Sequence, residues 1–489
     1  MEKDYVQSLM LKEAFSVGVK ARHAIHYIEE RRRDIIRVSD EIWRFAEVGL
    51  HEHRSSECLT QALEQEGFSV EKGVAGMPTA FVATWGTGRP VIGFLGEYDA
   101  LPGLSQKTVP VRKELDKGKP GHGCGHNLLG AGAFGGVIGL KKELSDRGLP
   151  GTIKYFGCPA EENFSGKAFM ARDGLFSECD ACLTWHPGSV NRVWSGSSLA
   201  NNAMNVIFTG RTAHAAGDPH NGRSALDALQ LMNMGVEFLR EHMPLEARVH
   251  YVITQGGGQP NVVPGLAKAW YLVRSPRREQ VDDLYERVIR CAKGAALMTD
   301  TKCEIQMIKA IWNVLPNSVL EDLLEECMKR VGPPEFGPDD EAFAWEITRT
   351  VTQAQREGAL QGARIPKELW NRPLHNTVLP RPEIIEDSKG STDVGDASWC
   401  CPTAQFRTAC NAFGTPGHSW QYVAQAGMGI GHKGMITAAK ILAEAGFELM
   451  TNEKALLGAK KAFTELSGGK MYRCAMPEGH KPAFDQFSE

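Results

Sequence analysis

Val91-Ile92-Gly93-Phe94-Leu95 runs directly into Gly96-Glu97-Tyr98-Asp99, so an apolar segment ends in a pair of carboxylates. A strand that is apolar on both faces belongs in the middle of a sheet with helices packed above and below. Open α/β sheets place their chemistry beyond the carboxyl ends of such strands, which is where Asp99 falls. Asp99 therefore reads either as part of a functional site or as a turn cap. Working outward, residues 79–85, 152–158, 181–185 and 403–408 read as further strands. Residues 12–47, 55–66, 128–144, 317–330, 433–444 and 452–466 carry helical spacing. The basic run Arg31-Arg32-Arg33 reads as a solvated helix face. Strands alternating with helices give an α/β fold.

The turn Gly121-His122-Gly123-Cys124-Gly125-His126-Asn127 sets a thiol and an imidazole two residues apart, just before the 128–144 helix. In an extended segment both side chains fall on one side, and flanking glycines let the backbone crowd close to an ion. Thiolate and imidazole together suit zinc or a comparable transition metal. Taken alone, the pair serves equally as a buried cysteine beside a structural histidine. The strand at 152–158 leads into Pro159-Ala160-Glu161-Glu162. One such carboxylate can hold a cation while its neighbour takes a proton from an attacking water. The strand at 181–185 delivers His186. Successive strand ends thus supply Asp99, the Cys124/His126 turn, Glu161, Glu162 and His186, a placement that favours a metal site over a set of structural residues. His418, in a Gly/Pro-rich loop, is the candidate for a last ligand, or else an exposed loop histidine.

At 489 residues the chain exceeds one ordinary core, so two domains are expected. A net charge of -4 gives no footprint for nucleic acid, and no apolar run reaches the ~18 residues of a membrane span. The 12 cysteines are scattered, and no charged-then-apolar leader opens the chain, so the expected compartment is the cytoplasm. From about 202 to 310 the pattern changes to strand, helix, strand, strand, helix, strand, a self-contained α+β unit interrupting the α/β part. Within it, Thr212-Ala213-His214-Ala215 and the Gly256–Pro264 loop containing Asn261 stand out, as ligand-facing groups or as turn chemistry. The acidic, Pro-containing region 332–387 has no readable role and room for one helix near 341–357, and residues 390–399 read as a loop.

The series Gly-Glu-Tyr-Asp-Ala-Leu-Pro (96–102), His-Gly-Cys-Gly-His-Asn (122–127), Pro-Ala-Glu-Glu (159–162), Trp-His-Pro (185–187), Thr-Ala-His (212–214), Pro-Asn-Val-Val-Pro (260–264) and Gly-His-Ser (417–419) resembles the M20 metallopeptidase and amidohydrolase family. Within it the chain is most similar to subfamily D, which includes auxin-conjugate and aminobenzoyl-glutamate hydrolases. The stretches at 390–399 and after 101–106 resemble B-type chains of the latter. The resemblance implies a mixed-sheet α/β metallopeptidase catalytic domain at 1–199 and 315–489, with an inserted ferredoxin-like α+β lid or dimerisation domain at 200–314. It implies that Cys124, His126, Glu162, His186 and His418 hold one or two divalent ions, Mn²⁺ or Zn²⁺, with Cys124 able to bridge them. Glu161 matches the general base, His214 the histidine that reaches a partner's site to steady an oxyanion, and Asn261 a residue meeting the substrate carboxylate. Asp99 matches the aspartate beside the metals. Glu97 stands where the wider family has a histidine ligand, and Asn127 where many subfamily members have aspartate. The implied activity is cleavage of an N-acyl or N-aroyl amino acid, p-aminobenzoyl-glutamate type first, by a homodimer or a heteromer with a related A-type subunit. A dipeptidase, an aromatic amine hydrolase or a non-catalytic partner chain are the alternatives.

Overall fold

The computed structural model describes residues 21–482 and 484. The part of the first expected helix before Ala21 lies outside them. Eleven strands are present among the described residues: β1 (Ser69–Lys72), β2 (Phe81–Thr87), β3 (Val91–Glu97), β4 (Gly151–Cys158), β5 (Ala181–Gly188), β6 (Arg192–Trp194), β7 (Ala200–Thr209), β8 (Arg248–Gln255), β9 (Leu266–Ser275), β10 (Lys302–Ile311) and β11 (Thr403–Ala409). They form a seven-stranded sheet, ordered β1-β2-β4-β3-β5-β11-β6, and a four-stranded sheet, ordered β10-β7-β9-β8.

Contacts divide the chain into two compact units. The first takes in the described residues up to Gly196, Leu315–Glu386 and Ala397–Tyr472; the second takes in Ser197–Val314, Asp387–Asp396 and the described residues from Arg473 onward. In the first unit, β4, β3, β5 and β11 are parallel neighbours, while β2, β1 and β6 add antiparallel edges. The parallel strands therefore end together, and β3 is buried on both faces from Ile92 to Glu97, as its composition requires.

The His126–Arg147 helix runs through the middle of this unit and is buried continuously from His126 to Leu140. Small residues permit that. At Gly132 a Cβ would stand 2.6 Å from the Trp185 ring, so only glycine lets this helix lie so close to β5. Ile28, Ile35, Phe94, Leu183, Phe406 and Leu442 join the same core. The region 12–47 is two helices, Arg22–Glu30 and Arg32–Phe45, broken at Arg31. Of the basic run, Arg33 is exposed, and the half-buried Arg31 pairs with Glu66 at 2.8 Å and Asp34 at 2.9 Å. The 332–387 region holds two helices, Pro338–Thr348 and Gln353–Gly362, where one was expected. The 390–399 segment contains a short helix, Val394–Ser398.

In the second unit, order β10-β7-β9-β8 with every pair antiparallel is the ferredoxin-like arrangement. The helices Ala225–Leu239 and Arg278–Thr299 share one core with the inward residues Met204, Phe208, Ala269, Tyr271 and Val273. Among the described residues no helix is long and apolar enough to cross a membrane.

Candidate metal centre

The ends of the parallel strands bring the ligand-type residues of the first unit together. β3 ends at Glu97, with Asp99 two residues on; β4 ends at Cys158, four residues before Glu162; β5 carries His186. The Cys124/His126 turn is not extended, as its one-sided spacing had suggested. Gly125 adopts a left-handed conformation, φ 80°, and His126 is the first residue of the helix. The turn still converges its two side chains, because the chain reverses through a glycine that tolerates this conformation.

Three overlapping triads result: Cys124, His126 and His186; Cys124, Glu162 and His418; Glu97, His126 and Glu161. In each, one donor atom per residue lies within 4.8 Å of the others. Cys124 belongs to two of the three, with its Sγ 3.4 Å from His186 Nε2. His418 Nε2 lies 3.4 Å from Glu162 Oε1.

Hydrogen bonds fix which nitrogens face the centre. His126 Nδ1 meets Asp99 Oδ1 at 2.7 Å, and His186 Nδ1 donates to Pro187 O at 2.8 Å. Both rings thus turn Nε2 inward, the arrangement in which a carboxylate or carbonyl orients a metal-ligating histidine. His126 Nε2 is buried without a hydrogen bond and lies 3.2 Å from Glu97 Oε2. Asp99 also accepts the Glu162 backbone N–H at 3.0 Å through its other oxygen, so one buried carboxylate ties two candidate ligands together.

The electrostatics describe a buried cluster whose acidic groups disfavour one another's charge. Burial and the neighbouring Glu161 and Asp99 charges push Glu162 up to about 8, although His126 opposes them. Burial, with Glu97 beside it, raises Glu161 as well. Burial and Glu162 push the Cys124 thiol far up. Burial and His126 lower His186 to about 3, leaving it a neutral ring. Burial works against charge on His126, but Cys124, Asp99 and Glu97 outweigh it and hold its pKa well above 6.5. A thiol, carboxylates and inward imidazole nitrogens are a donor set that fits a divalent transition ion.

Two residues here had no signal in the sequence. Lys167, in the Gly166–Arg172 helix, is fully buried and places Nζ 2.6 Å from Glu97 Oε1. Glu52, also buried, accepts the Ala160 N–H at 2.7 Å and the Thr79 hydroxyl at 3.0 Å. It thereby braces the left-handed Ala160, φ 58°, immediately before Glu161. Only the spacing of ligand-type residues was readable; each of these two reaches the site from a stretch whose sequence marks nothing. Asn127 has no place at the centre, since its amide donates to Ser39 Oγ and Ala426 O, both at 3.0 Å.

His214 and Asn261 belong to the second unit and are brought together there. Ala215 N–H donates to Asn261 O, and Val263 N–H to Ala213 O, each at 3.0 Å. His214 Nδ1 accepts the backbone N–H groups of Ala216 and Gly217 at 3.2 and 2.9 Å. Its proton therefore sits on Nε2, and the side chain is exposed.

A family model for a peptidase dimerisation domain matches residues 201–298. The chain is 42% identical over 467 residues to the B subunit of p-aminobenzoyl-glutamate hydrolase from Escherichia coli strain K12, covering 93% of this chain and 97% of that one. It is 28% identical to the Xaa-Arg dipeptidase of Mus musculus, over 90% of this chain and 91% of that one. Among solved structures, a dinuclear metal-binding peptidase of the M20 family from Bacillus subtilis has the same fold, with a TM-score of 0.53 at 17% identity, covering 85% of this chain and 98% of that one. With such identity across nearly the whole length of both chains, the protein belongs to the M20 family of metal-dependent hydrolases.

Proposed function

We propose that this chain hydrolyses the amide bond of an N-acyl or N-aroyl amino acid, with p-aminobenzoyl-glutamate the first substrate to try. The observation that carries the reading is the pair of triads sharing Cys124, with the Nε2 atoms of His126 and His186 turned inward. Cys124, His126, Glu162, His186 and His418 would hold one or two divalent ions, Mn²⁺ or Zn²⁺. Such an ion supplies Lewis acidity toward a carbonyl and toward water. Glu161 takes the proton of the attacking water and passes it to the departing amine, a role suited to a carboxyl whose pKa is raised by burial. Asp99 holds His126 and the Glu162 backbone in register. His214, with its Nε2 proton exposed, is suited to donate to an oxyanion across a subunit interface, and Asn261 beside it to meet the substrate carboxylate.

The match to a dimerisation domain and the similarity to the B-type chain of a hydrolase support a homodimer or a heteromer with a related A-type subunit. The exposed Tyr251, Val252 and Ile253 on strand β8 support the same reading. Twelve free thiols fit a reducing cytoplasm.

The test is to supply the purified chain, loaded with Mn²⁺ or Zn²⁺, with N-aroyl and N-acyl amino acids and dipeptides, and to identify products by mass spectrometry. Metal-dependent release of glutamate and p-aminobenzoate is expected. Glu161→Gln should lose about 10²–10⁴-fold in turnover while keeping its metal. Release of amino acids only from dipeptides would instead favour the dipeptidase reading, and unchanged activity of a reconstituted complex carrying Glu161→Gln would make the chain a non-catalytic partner.

A further inference from the structure

The face of the large sheet that carries His186 holds a second polar group that the metal centre does not use. Paired residues in neighbouring strands share a face, as do residues two apart on one strand. Arg407 on β11 lies opposite His186 on β5 and Arg192 on β6, and Gln405 lies opposite Thr184 and Trp194. Phe406, Trp185 and Val193 point the other way, into the apolar core. The Arg407 guanidinium sits 4.0 Å over the Trp194 ring, and Trp194 meets His186 edge-on with ring centroids 6.4 Å apart.

Arg407 Nε, Gln405 Nε2 and Arg192 Nε are all buried without a hydrogen-bond acceptor. Arg192 is anchored by another nitrogen, which donates to Ala363 O at 2.7 Å. Arg407 as a whole is half-buried, and its Nε is the nitrogen shut away from water. Arginine, for its part, recognises planar carboxylates with two parallel donors, and an aromatic plate beneath it holds that fork in place. Buried donors lacking acceptors, next to a candidate metal ligand, describe a subsite complementary to a carboxylate.

We propose that Arg407, Gln405 and Trp194 form a carboxylate-binding subsite beside the metal centre, selecting substrates whose acidic group reaches it over their neutral carboxamides. This rests on the amidohydrolase reading of the neighbouring cluster. The 332–387 region lies against the same edge of the sheet, since Ala363, His375 and Thr377 supply backbone acceptors to Arg192 and Asn191 on and beside β6.

The experiment measures glutarate and glutaramide binding to the metal-loaded full chain by calorimetry, for the wild type, Arg407→Met, Arg407→Lys and Gln405→Glu, with metal content checked for each. The wild type should bind glutarate in preference to glutaramide. Arg407→Met should weaken glutarate about 10–100-fold with its metal retained, and Arg407→Lys should recover part of that. Gln405→Glu, which offers Arg407 an internal carboxylate, should abolish glutarate binding in a chain no less stable than the wild type, a loss that a purely structural arginine would not give. Glutarate affinity within about threefold of wild type in both Arg407→Met and Gln405→Glu, or no preference for glutarate in the wild type, would overturn the subsite. The amide panel stands apart from this. A chain that binds glutarate through Arg407 but turns over no amide keeps the subsite and loses the amidohydrolase reading, and the converse result does the reverse.

Discussion

At the scale of single residues, Lys167 brings a buried positive charge to the candidate metal centre. Its ammonium is buried against Glu97, whose other oxygen faces His126. Removing one partner of a buried pair leaves an uncompensated charge, which costs about 3–5 kcal/mol. Lys167→Met should therefore lower the unfolding free energy of the EDTA-treated chain by about that amount in urea titrations. Added Mn²⁺ or Zn²⁺ should recover part of it by supplying positive charge at the same carboxylates; an equal loss with and without ions would count against a cation at this position. His375 offers a pH test away from the centre. It is buried between Asn191 and Thr377, and burial lowers its pKa from 6.5 to about 4. The folded state binds this proton less readily than the unfolded state, so stability is complete above pH 6.5 and declines as pH falls toward 4. The loss amounts to about 3 kcal/mol, and His375→Gln should flatten the stability profile across that window. The sequence singled out Asp99, Glu161, Glu162 and His186 because each follows or lies on a legible apolar strand, and Cys124 and His126 because a glycine-rich turn sets a thiol and an imidazole two residues apart. It missed Lys167, Glu52 and Arg407 because a lone charged residue reads as surface until burial is known.

At the scale of elements, small residues decide how closely the layers approach. Gly132 of the His126–Arg147 helix faces Trp185, and an added Cβ would stand 2.6 Å from the ring. Gly294 of the Arg278–Thr299 helix faces open space. Gly132→Ala should destabilise by about 1–3 kcal/mol through overpacking, whereas Gly294→Ala should stabilise by about 0.5–1 kcal/mol through helix propensity. Opposite signs in the two melting temperatures would confirm that packing, not propensity, sets the first position. The long buried elements were legible because their apolar or small-residue runs are unambiguous. β1 and β6 were not, with four and three residues and little alternation. The Gly166–Arg172 helix is only seven residues long and carries a buried lysine, so periodicity could not mark it. In the 332–387 region, Thr352 caps the Gln353–Gly362 helix and separates it from the preceding one, a break that helical spacing alone runs across.

At the scale of the whole molecule, the candidate metal centre draws on residues from across the first unit. Its donors span the sequence from Glu97 to His418, and its triads close only when the ends of β3, β4 and β5, the turn before the central helix and the His418 loop are all in place. The ferredoxin-like unit interrupts that sequence without interrupting the large sheet, since β5, β11 and β6 pair across the insertion. Fold class and the inserted unit were legible because the periodicity changes where one unit gives way to the other. Convergence of the donors on one point was not, because it depends on sheet order, which no single segment carries. The most direct measurement is the number of Mn²⁺ or Zn²⁺ ions bound per chain, by plasma mass spectrometry after dialysis, in the wild type and in Cys124→Ser combined with His186→Ala. One or two ions in the wild type and their loss in the folded double variant are expected; an unchanged ion count in that variant would contradict a metal centre built around Cys124.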